Sequence, residues 1–283
     1  MSLEISNCAG IEPTLLCEAM NMAFSDYVVP LHLSVEKFTD FQKQRGFSSR
    51  HSFIARTNGE IAAFWFSSAP NPDLGGGAYT LSVGTHPQYR RKGLFAQLLK
   101  VVSGQLAAEG ASGMQLEVIS TNDKAVAAYE NAGFQTGRRL RVCKLSTAGI
   151  EVSSAGWDLR PIEITALPSE ETAFFDWQPT PQNSKKALSA LAGKSKAISA
   201  RANGEVLGWV AFYRDGSVAQ LVVRKDQRRK GVGGALLAAA AEAVDNEQLV
   251  FVNVDRSDMA TNALLDRAGA EDLLEQLEMR LTF

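Results

Sequence analysis

The chain has 283 residues, of which 45% are hydrophobic, and a formal net charge of −2. This length suits one large domain or two ordinary ones, and the hydrophobic share is that of a globular protein with a substantial core. The near-neutral charge argues against a general nucleic-acid binder or membrane-surface binder, so we expect neither partner.

Other features of the sequence bear on location and metal binding. No uninterrupted apolar run approaches the ~20 residues needed to span a bilayer. The opening residues, Met-Ser-Leu-Glu-Ile-Ser, lack the basic-then-apolar order of an export signal. The three cysteines, Cys8, Cys17 and Cys143, are scattered and have no metal-ligand spacing. We therefore predict a cytoplasmic protein with reduced, buried thiols and no metal.

The first half of the chain predicts strands and helices in a mixed order. Two helices are predicted at Pro13–Phe24 and Ser34–Arg45, with Ser34 as the N-cap of the second. Asn58-Gly59 lies between two apolar runs and is a strong hairpin signal. The strands predicted from hydrophobic patterning are Leu3–Asn7, Ser52–Arg56, Ile61–Ser67 and Tyr79–Gly84.

A basic turn, Arg90-Arg91-Lys92-Gly93, follows the last of these strands and opens a helix with an apolar stripe. After this helix come the predicted strand Met114–Ile119 and a short helix at Asp123–Asn131. The short helix has Asn122 as its predicted N-cap and Gly133 as its left-handed stop. The last predicted element of this half is the strand Arg138–Leu145, which is expected to close the sheet.

The tetrapeptide Arg-Arg-Lys-Gly occurs a second time, so that Gly231 lies 138 positions after Gly93. Downstream, an Ala-Gly pair ending at Gly133 is repeated at Gly269, 136 positions later. Upstream, Asn58-Gly59 is repeated by Asn-Gly 145 positions later. Three landmarks in one order indicate a duplicated domain rather than chance similarity. We predict domains at 1–147 and 157–283, joined by a linker at 148–156 that is rich in Ser, Ala and Gly.

The second copy predicts the same order of elements as the first. Its weakly patterned stretch, Glu163–Ser195, contains three prolines and stands where the first copy has two helices. The predicted elements are strands at Trp157–Pro161, Lys196–Arg201, Val206–Phe212, Val218–Val223, Leu249–Val254 and Leu277–Phe283, and helices at Val232–Val244 and Met259–Arg267.

Each basic turn has the chemistry of a phosphate site. A helix N-terminus offers unpaired N–H groups and the positive end of a dipole. Glycine allows a phosphate to approach the backbone closely, and arginine and lysine add charge. The combination suits a pyrophosphate, and the glycine spacings of the P-loop and of the dinucleotide-binding turn are both absent.

The second turn reads Arg-x-x-Gly-x-Gly and resembles the acyl-CoA signature of the GNAT N-acetyltransferase superfamily. The first copy resembles the same family over the order strand, basic turn, helix and strand, followed by Asn122, Tyr129, Gly133 and Phe134. The likeness covers most of both halves and is weakest at 163–195. It implies an α/β fold of two tandem domains, each with a mostly antiparallel mixed sheet flanked by helices.

The resemblance further implies acetyl-CoA as co-substrate, with its pyrophosphate on the turn backbone and its pantetheine arm along the preceding strand. The cofactor-binding candidates of the first copy are Val83, Gly84, Arg90, Arg91, Lys92, Gly93, Phe95, Ala96 and Asn122. Those of the second copy are Leu221, Val223, Arg228, Arg229, Lys230, Gly231, Gly233 and Gly234.

The two copies depart from the family pattern at different places. Position 95 is Phe where the second copy has Gly233, and alignment of the Ala-Gly pairs places Leu265 opposite Tyr129. A phenol, with a reference pKa near ~10, is a plausible proton donor to a departing CoA thiolate, whereas leucine donates no proton. Spacing alone would make Tyr129 a core aromatic, and the family motif favours the acid. We therefore expect chemistry in the first copy.

The general base and the acceptor site each have candidate residues in the first copy. Glu117 and His86 are candidate bases, although Glu117 also fits a solvated strand residue and His86 a strand end. A strand N–H near Val83 or Gly84 would hold the oxyanion of the tetrahedral intermediate. For the acceptor, Asp26 would attract an ammonium group and Tyr27 would pack on it; a surface turn with an aromatic anchor fits them equally well.

The sequence thus predicts an acetyl-CoA-dependent N-acetyltransferase that acts on a primary amine of a small molecule or protein. Two alternatives stay open: a non-catalytic CoA-binding sensor or scaffold, and catalysis in the second copy. Two similar domains in one chain would form an internal pseudo-dimer, so both a monomer and a homodimer are compatible with the sequence.

Overall fold

The computed structural model describes residues 3–26, 32–150, 156–168 and 173–283. The chain divides into two compact units. The first unit contains Met1–Glu117, Lys124–Thr136 and Met279–Phe283, and the second contains Val118–Asp123 and Gly137–Glu278. Of the helices in these described ranges, none combines the length and apolar character needed to cross a bilayer.

The sheet of the first unit begins with five strands that lie side by side in chain order. Neighbouring strands are antiparallel, apart from the parallel pair of the fourth and fifth. The strands are β1 Leu3–Asn7, β2 Phe53–Thr57, β3 Glu60–Ser67, β4 Ala78–Thr85 and β5 Gly113–Ile119.

Local signals explain the helices of the first unit. Ser34 caps the second helix by accepting a hydrogen bond from the Lys37 N–H, as predicted, and Gly46 ends it with a left-handed backbone. The first two helices pack on one face of the sheet, where Phe38, Phe64 and Phe66 form an aromatic core. The helices are α1 Pro13–Ala23, α2 Val35–Arg45, α3 Leu94–Ala108 and α4 Asp123–Asn131.

The second unit has the same kind of sheet, with one parallel pair among antiparallel neighbours. Its strands are β6 Gln135–Ser146, β7 Asp158–Pro161, β8 Ser195–Ala202, β9 Glu205–Tyr213, β10 Ser217–Val223, β11 Gln248–Asp255 and β12 Glu271–Thr282. Within the unit their order is β12-β6-β11-β10-β9-β8-β7.

Most of β6 and the end of β12 belong to the unit of the other sequence copy. β6 pairs antiparallel with β11 in the second unit, although the sequence led us to expect this strand to close the sheet of the first copy. The end of β12 belongs to the first unit, where Phe283 donates its N–H to the Ser112 carbonyl. A Cβ on Gly113 would lie 2.1 Å from the Leu281 carbonyl oxygen, so the approach of β12 requires glycine there.

The helices of the second unit are α5 Lys185–Ala190, α6 Val232–Ala243 and α7 Met259–Arg267. The weakly patterned stretch between β7 and β8 contains α5 and short 3-10 turns among its described residues. Trp209 on β9 is fully buried beneath this stretch, and Phe174 and Phe175 pack against its ring. The predicted mixed α/β fold is confirmed, and the three cysteines are buried and unpaired.

Candidate active site

The two basic turns have the same backbone geometry. Arg91 and Arg229 adopt left-handed conformations with φ of 62° and 63°. Gly93 and Gly231 are also left-handed, with φ of 75° and 92°, and each is the N-cap of the helix that follows. A glycine N-cap has no side chain to satisfy the first helical N–H groups. Each turn therefore presents a concave row of backbone donors suited to an anion.

The first arginine of each turn forms hydrogen bonds to other segments of its own unit. Arg90 forms two hydrogen bonds to the Asp26 carboxylate, at 2.7 and 2.6 Å, and also donates to the carbonyls of Ala23 and Thr85. The hydrogen bond from Arg90 lowers the pKa of Asp26 below its ordinary value. Arg90, a predicted cofactor contact, and Asp26, a predicted acceptor contact, are thus partners of each other. Tyr27 lies outside the described residues.

The parallel strands of each unit separate beyond their first residues. In the described strands, the parallel pairing covers Ala78 and Tyr79 in β4 and Ser217 and Val218 in β10. A β-bulge follows Val218 in the pairing of β10 with β9, and a bulge bends the strand that carries it. In the second unit the separation leaves a cleft at the end of the strands that leads into the basic turn.

A cavity of about 680 Å³ occupies this cleft in the second unit. The basic turn, β10, β11, α7 and residues 174–179 bound it. All the second-copy cofactor candidates except Lys230 line it. The size lies in the range of small-molecule and cofactor sites.

Position 95 and its counterpart Gly233 are packed in opposite ways. A Cβ on Gly233 would lie 2.9 Å from Leu264 Cδ2 and 3.6 Å from Val223 Cγ2. In the first unit the Phe95 ring lies 5.6 Å from Trp65 and 5.5 Å from Tyr129, measured between ring centroids. The Phe95 side chain therefore joins an aromatic cluster beside the first turn, where the second turn has an open cavity.

Tyr129 and Leu265 are equivalent in the structure, as the sequence alignment indicated. The N–H of Phe134 donates to the Tyr129 carbonyl, and the N–H of Ala270 donates to the Leu265 carbonyl, both at 3.0 Å. Tyr129 is partly exposed, and its ring packs edge-on against Phe134. Leu265 is fully buried in the core of the second unit, so a phenol is replaced there by a packing residue.

The two candidate bases of the first copy both make local hydrogen bonds. The phenol of Tyr79 donates to Glu117 Oε2. Burial, and then the negative charge of Glu117, raise the pKa of Tyr79 well above its ordinary value, so the phenol stays protonated. His86 accepts the Gln88 N–H at Nδ1, at 3.2 Å, and caps the turn Pro87–Tyr89.

The other first-copy candidates lie on β4, on the turn and before α4. Val83 and Gly84 pair with Trp65 and Phe64 of β3, and a Cβ on Gly84 would lie 2.6 Å from the Phe64 ring. Lys92 places its ammonium group 4.9 Å from the Tyr89 ring centroid. Ala96 lies in the first turn of α3 and is exposed. Asn122 lies just before α4, and its N–H donates to the Ile119 carbonyl.

Sequence reasoning missed the wall formed by residues 174–179. Asp176 in this segment is the partner of Arg228, as Asp26 is of Arg90. A signal was present: Phe-Ser-Asp-Tyr at 24–27 is repeated as Phe-Phe-Asp-Trp at 174–177. This fourth landmark of the duplication lies in the stretch where the helical pattern of the first copy is lost.

Comparisons with known proteins agree with the duplicated architecture. The model of the acetyltransferase (GNAT) family matches residues 18–134, and a second GNAT domain model matches residues 164–264. A search of curated protein sequences found no match.

Solved structures of low sequence identity share the fold over the whole chain. A GCN5-related N-acetyltransferase from Sphaerobacter thermophilus is 16% identical with a TM-score of 0.73, covering 99% of this chain and 95% of that one. A tandem GNAT protein from the clavulanic acid biosynthesis pathway is 14% identical with a TM-score of 0.71, covering 99% and 98%. A GCN5-related N-acetyltransferase from Anabaena variabilis is 12% identical with a TM-score of 0.62, covering 99% and 72%. The chain therefore belongs to the GNAT family of acetyltransferases and contains two of its domains in tandem.

Proposed function

We propose that this acyltransferase moves the acetyl group of acetyl-CoA to a primary amine of a small molecule or protein, and that the second copy binds acetyl-CoA. The observation that carries the proposal is the cavity of about 680 Å³ between β10, β11 and the second basic turn. The proposal departs from the sequence-based expectation of chemistry in the first copy.

The second turn has the groups that a pyrophosphate needs. The N–H groups of residues 229–234 would hold it, with Arg229 exposed beside them and Gly233 without a side chain in the way. The separated edge of β10 would hydrogen-bond the pantetheine arm as an added strand does. When bound, acetyl-CoA supplies a thioester, which is the acetyl donor for the amine.

The opposite wall of the cavity suits an amine carried on an apolar body. Phe174, Phe175 and Trp177 line this wall, and Trp177 is 45% exposed. Asp258 lines the same cavity, and its carboxylate would attract the ammonium form of an amine, whereas the buried Asp255 is paired with Arg138. We therefore expect arylalkyl or long-chain primary amines to be better acceptors than small polar ones.

Catalysis in the first copy is the second candidate, and Tyr129 is the observation that favours it. Its partly exposed phenol lies on α4, where the second copy has the buried Leu265. A departing CoA thiolate needs a proton, which a phenol supplies directly. In the second copy the corresponding proton would come from the solvent that enters the cavity.

Matched charge reversals test which turn binds acetyl-CoA. Asp tolerates the left-handed backbone, so Arg229→Asp and Arg91→Asp change charge at little backbone cost. By isothermal titration calorimetry, Arg229→Asp is expected to weaken acetyl-CoA binding about tenfold or more, and Arg91→Asp to change it less than about twofold. Arg214→Asp is the control, because Arg214 is exposed in the second unit and outside the cavity wall.

The reverse pattern of affinities would move the cofactor site to the first copy. Turnover is measured separately, with acetyl-CoA and a panel of primary amines that spans arylalkyl, alkyl and hydroxylated members. Tight binding of acetyl-CoA without acetylation of any amine would favour the non-catalytic sensor or scaffold over the enzyme.

A further inference from the structure

The guanidinium group of Arg228 binds three partners in two other segments of the second unit. Its Nε donates to the Val223 carbonyl at 3.1 Å, at the end of β10. Its Nη1 donates to Asp176 Oδ2 at 2.5 Å, and its Nη2 donates to the Phe174 carbonyl at 3.1 Å. One side chain therefore joins the strand that leads into the basic turn to the segment that forms the opposite cavity wall.

A second cation strengthens this junction. Lys225 Nζ lies 3.2 Å from the other oxygen of Asp176, and the Lys225 N–H donates to the Ala173 carbonyl at 3.1 Å. Partial burial raises the pKa of Asp176, but the hydrogen bonds from Arg228 and Lys225 outweigh it and the pKa is lowered. The carboxylate is therefore ionised at neutral pH and accepts charge-assisted bonds from two directions.

The first unit contains the same arrangement around Arg90. Its guanidinium binds the Asp26 carboxylate, a carbonyl at the end of α1 and the Thr85 carbonyl at the end of β4. The same three kinds of partner recur although the flanking segments differ, with α1 in one unit and an irregular stretch in the other. The arrangement is therefore a feature of the duplicated turn rather than an isolated surface ion pair.

We propose that Arg228 is a positioning residue that couples the cofactor turn to the acceptor-side wall, so that acetyl-CoA bound at the turn orders residues 173–178. The coupling rests on the proposed function of the second copy. Under this proposal Arg229 and the backbone N–H groups contact the phosphate directly. The donors of Arg228 are instead directed to Asp176 and to carbonyls. The coupling also places the amine against a wall that is ordered once the acetyl donor has bound.

Amide hydrogen exchange of the full chain tests the coupling without an acceptor. In the wild type, saturating acetyl-CoA is expected to slow exchange in residues 173–178 by about fivefold or more. In Arg228→Met, acetyl-CoA is expected to bind within about threefold of the wild-type affinity, while the protection of 173–178 is lost. Arg228→Lys retains the charge but not the planar fork, and intermediate protection is expected.

The partner residue gives an independent check. Asp176→Asn is expected to remove most of the protection, because an amide is a weaker acceptor for the guanidinium than a carboxylate. The double variant Arg228→Met with Asp176→Asn is expected to lose no more protection than either single variant, since the two residues act as one unit. Arg160→Met is the matched control: Arg160 forms an exposed pair with Asp158 in the same unit, away from the cavity wall.

Each outcome decides between different accounts. If Arg228→Met weakens acetyl-CoA binding about tenfold or more while saturated protein still protects 173–178, Arg228 is a phosphate ligand and the coupling is overturned. Acetyl-CoA binding that Arg229→Asp weakens but that gives no protection of 173–178 overturns the coupling alone, whereas binding that only Arg91→Asp weakens refutes the proposed function of the second copy. Absence of acetyl-CoA binding to the wild type refutes the proposed function of the second copy, and the coupling fails with it.

Discussion

A Cβ on Gly233 would lie 2.9 Å from Cδ2 of Leu264, so the first turn of α6 lies close against α7 in the second unit. The corresponding residues of the first copy are Phe95 and Ala128. In the sequence alignment, the larger residue of each pair is therefore Leu264 in the second copy and Phe95 in the first. As a result, the second turn has an unobstructed backbone, and the first has a phenyl ring that packs with Trp65 and Tyr129.

Gly233→Phe is predicted to damage the second copy in two ways. The end of the Leu264 side chain can move aside for a methyl group but not for a ring. Overpacking of this kind costs about 1–3 kcal/mol, to be measured as the free energy of unfolding in urea. Acetyl-CoA affinity is expected to fall as well, because the ring enters the cavity.

The matched control for this substitution copies the first unit. Adding Leu264→Ala to Gly233→Phe gives the second copy the same pair of residues, Phe and Ala, that the first copy has at positions 95 and 128. The double variant is expected to recover at least about half of the lost stability through this non-additive repacking. A wild-type free energy of unfolding in the single variant would contradict the packing explanation of Gly233.

Tyr129→Phe separates the two locations of the chemistry. If the second copy is catalytic, kcat with the best amine is expected to change less than about twofold, since the ring and its contacts with Phe95 and Phe134 are retained. A loss of about 100-fold or more, the usual contribution of a general acid, would place the reaction in the first copy. The measurement is steady-state release of CoA at saturating amine, with Tyr89→Phe as a control for loss of a partly exposed phenol.

Stability at low pH is predicted to depend on Glu109. His51 Nε2 lies 2.7 Å from Glu109 Oε2, and Gln105 and Arg50 also donate to this carboxylate. The hydrogen bond from His51 is the largest cause that lowers the pKa of Glu109 from 4.5 to about 2. Because the folded-state pKa is the lower one, the stabilisation is complete above the unfolded-state value and is lost as the pH falls towards 2.

Urea unfolding midpoints at a series of acidic pH values check this prediction. The wild type is expected to lose stability more steeply than Glu109→Gln as the pH falls from 4.5 towards 2. Parallel curves for the two proteins would show that the Glu109 bonds do not contribute to the pH dependence.

Elements set by local signals were predictable from the sequence. The short helices Asp123–Asn131 and Met259–Arg267 have the predicted end residues, because caps and left-handed glycines are signals that act within a few positions. The hairpins predicted around the two Asn-Gly turns are present for the same reason, and Asn58 and Asn203 have the left-handed backbone that such turns use.

Pairing between distant segments was not predictable in the same way. The apolar pattern of β6 predicts a strand, but it does not indicate which strand lies beside it in the sheet. In the structure β6 pairs with β11 of the second unit. The irregular stretch before β8 has too little periodicity to show that it forms a cavity wall.

The candidate site shows both situations. The sequence located both basic turns by their final glycines, Gly93 and Gly231. Both glycines have a left-handed backbone in the structure. The partnership of Arg228 with Asp176 depends on a contact between segments 52 residues apart, and residue types alone suggested a phosphate contact for that arginine. The repeated Phe-x-Asp-aromatic tetrapeptide was the one sequence signal that linked the two.

The central claim is that the second copy binds acetyl-CoA, and a crystal structure of the full chain with acetyl-CoA bound tests it most directly. The account predicts density for the pyrophosphate on the N–H groups of residues 229–234, with the pantetheine arm between β10 and β11. Density at the turn that contains Gly93, with the second cavity empty at saturating acetyl-CoA, would contradict it.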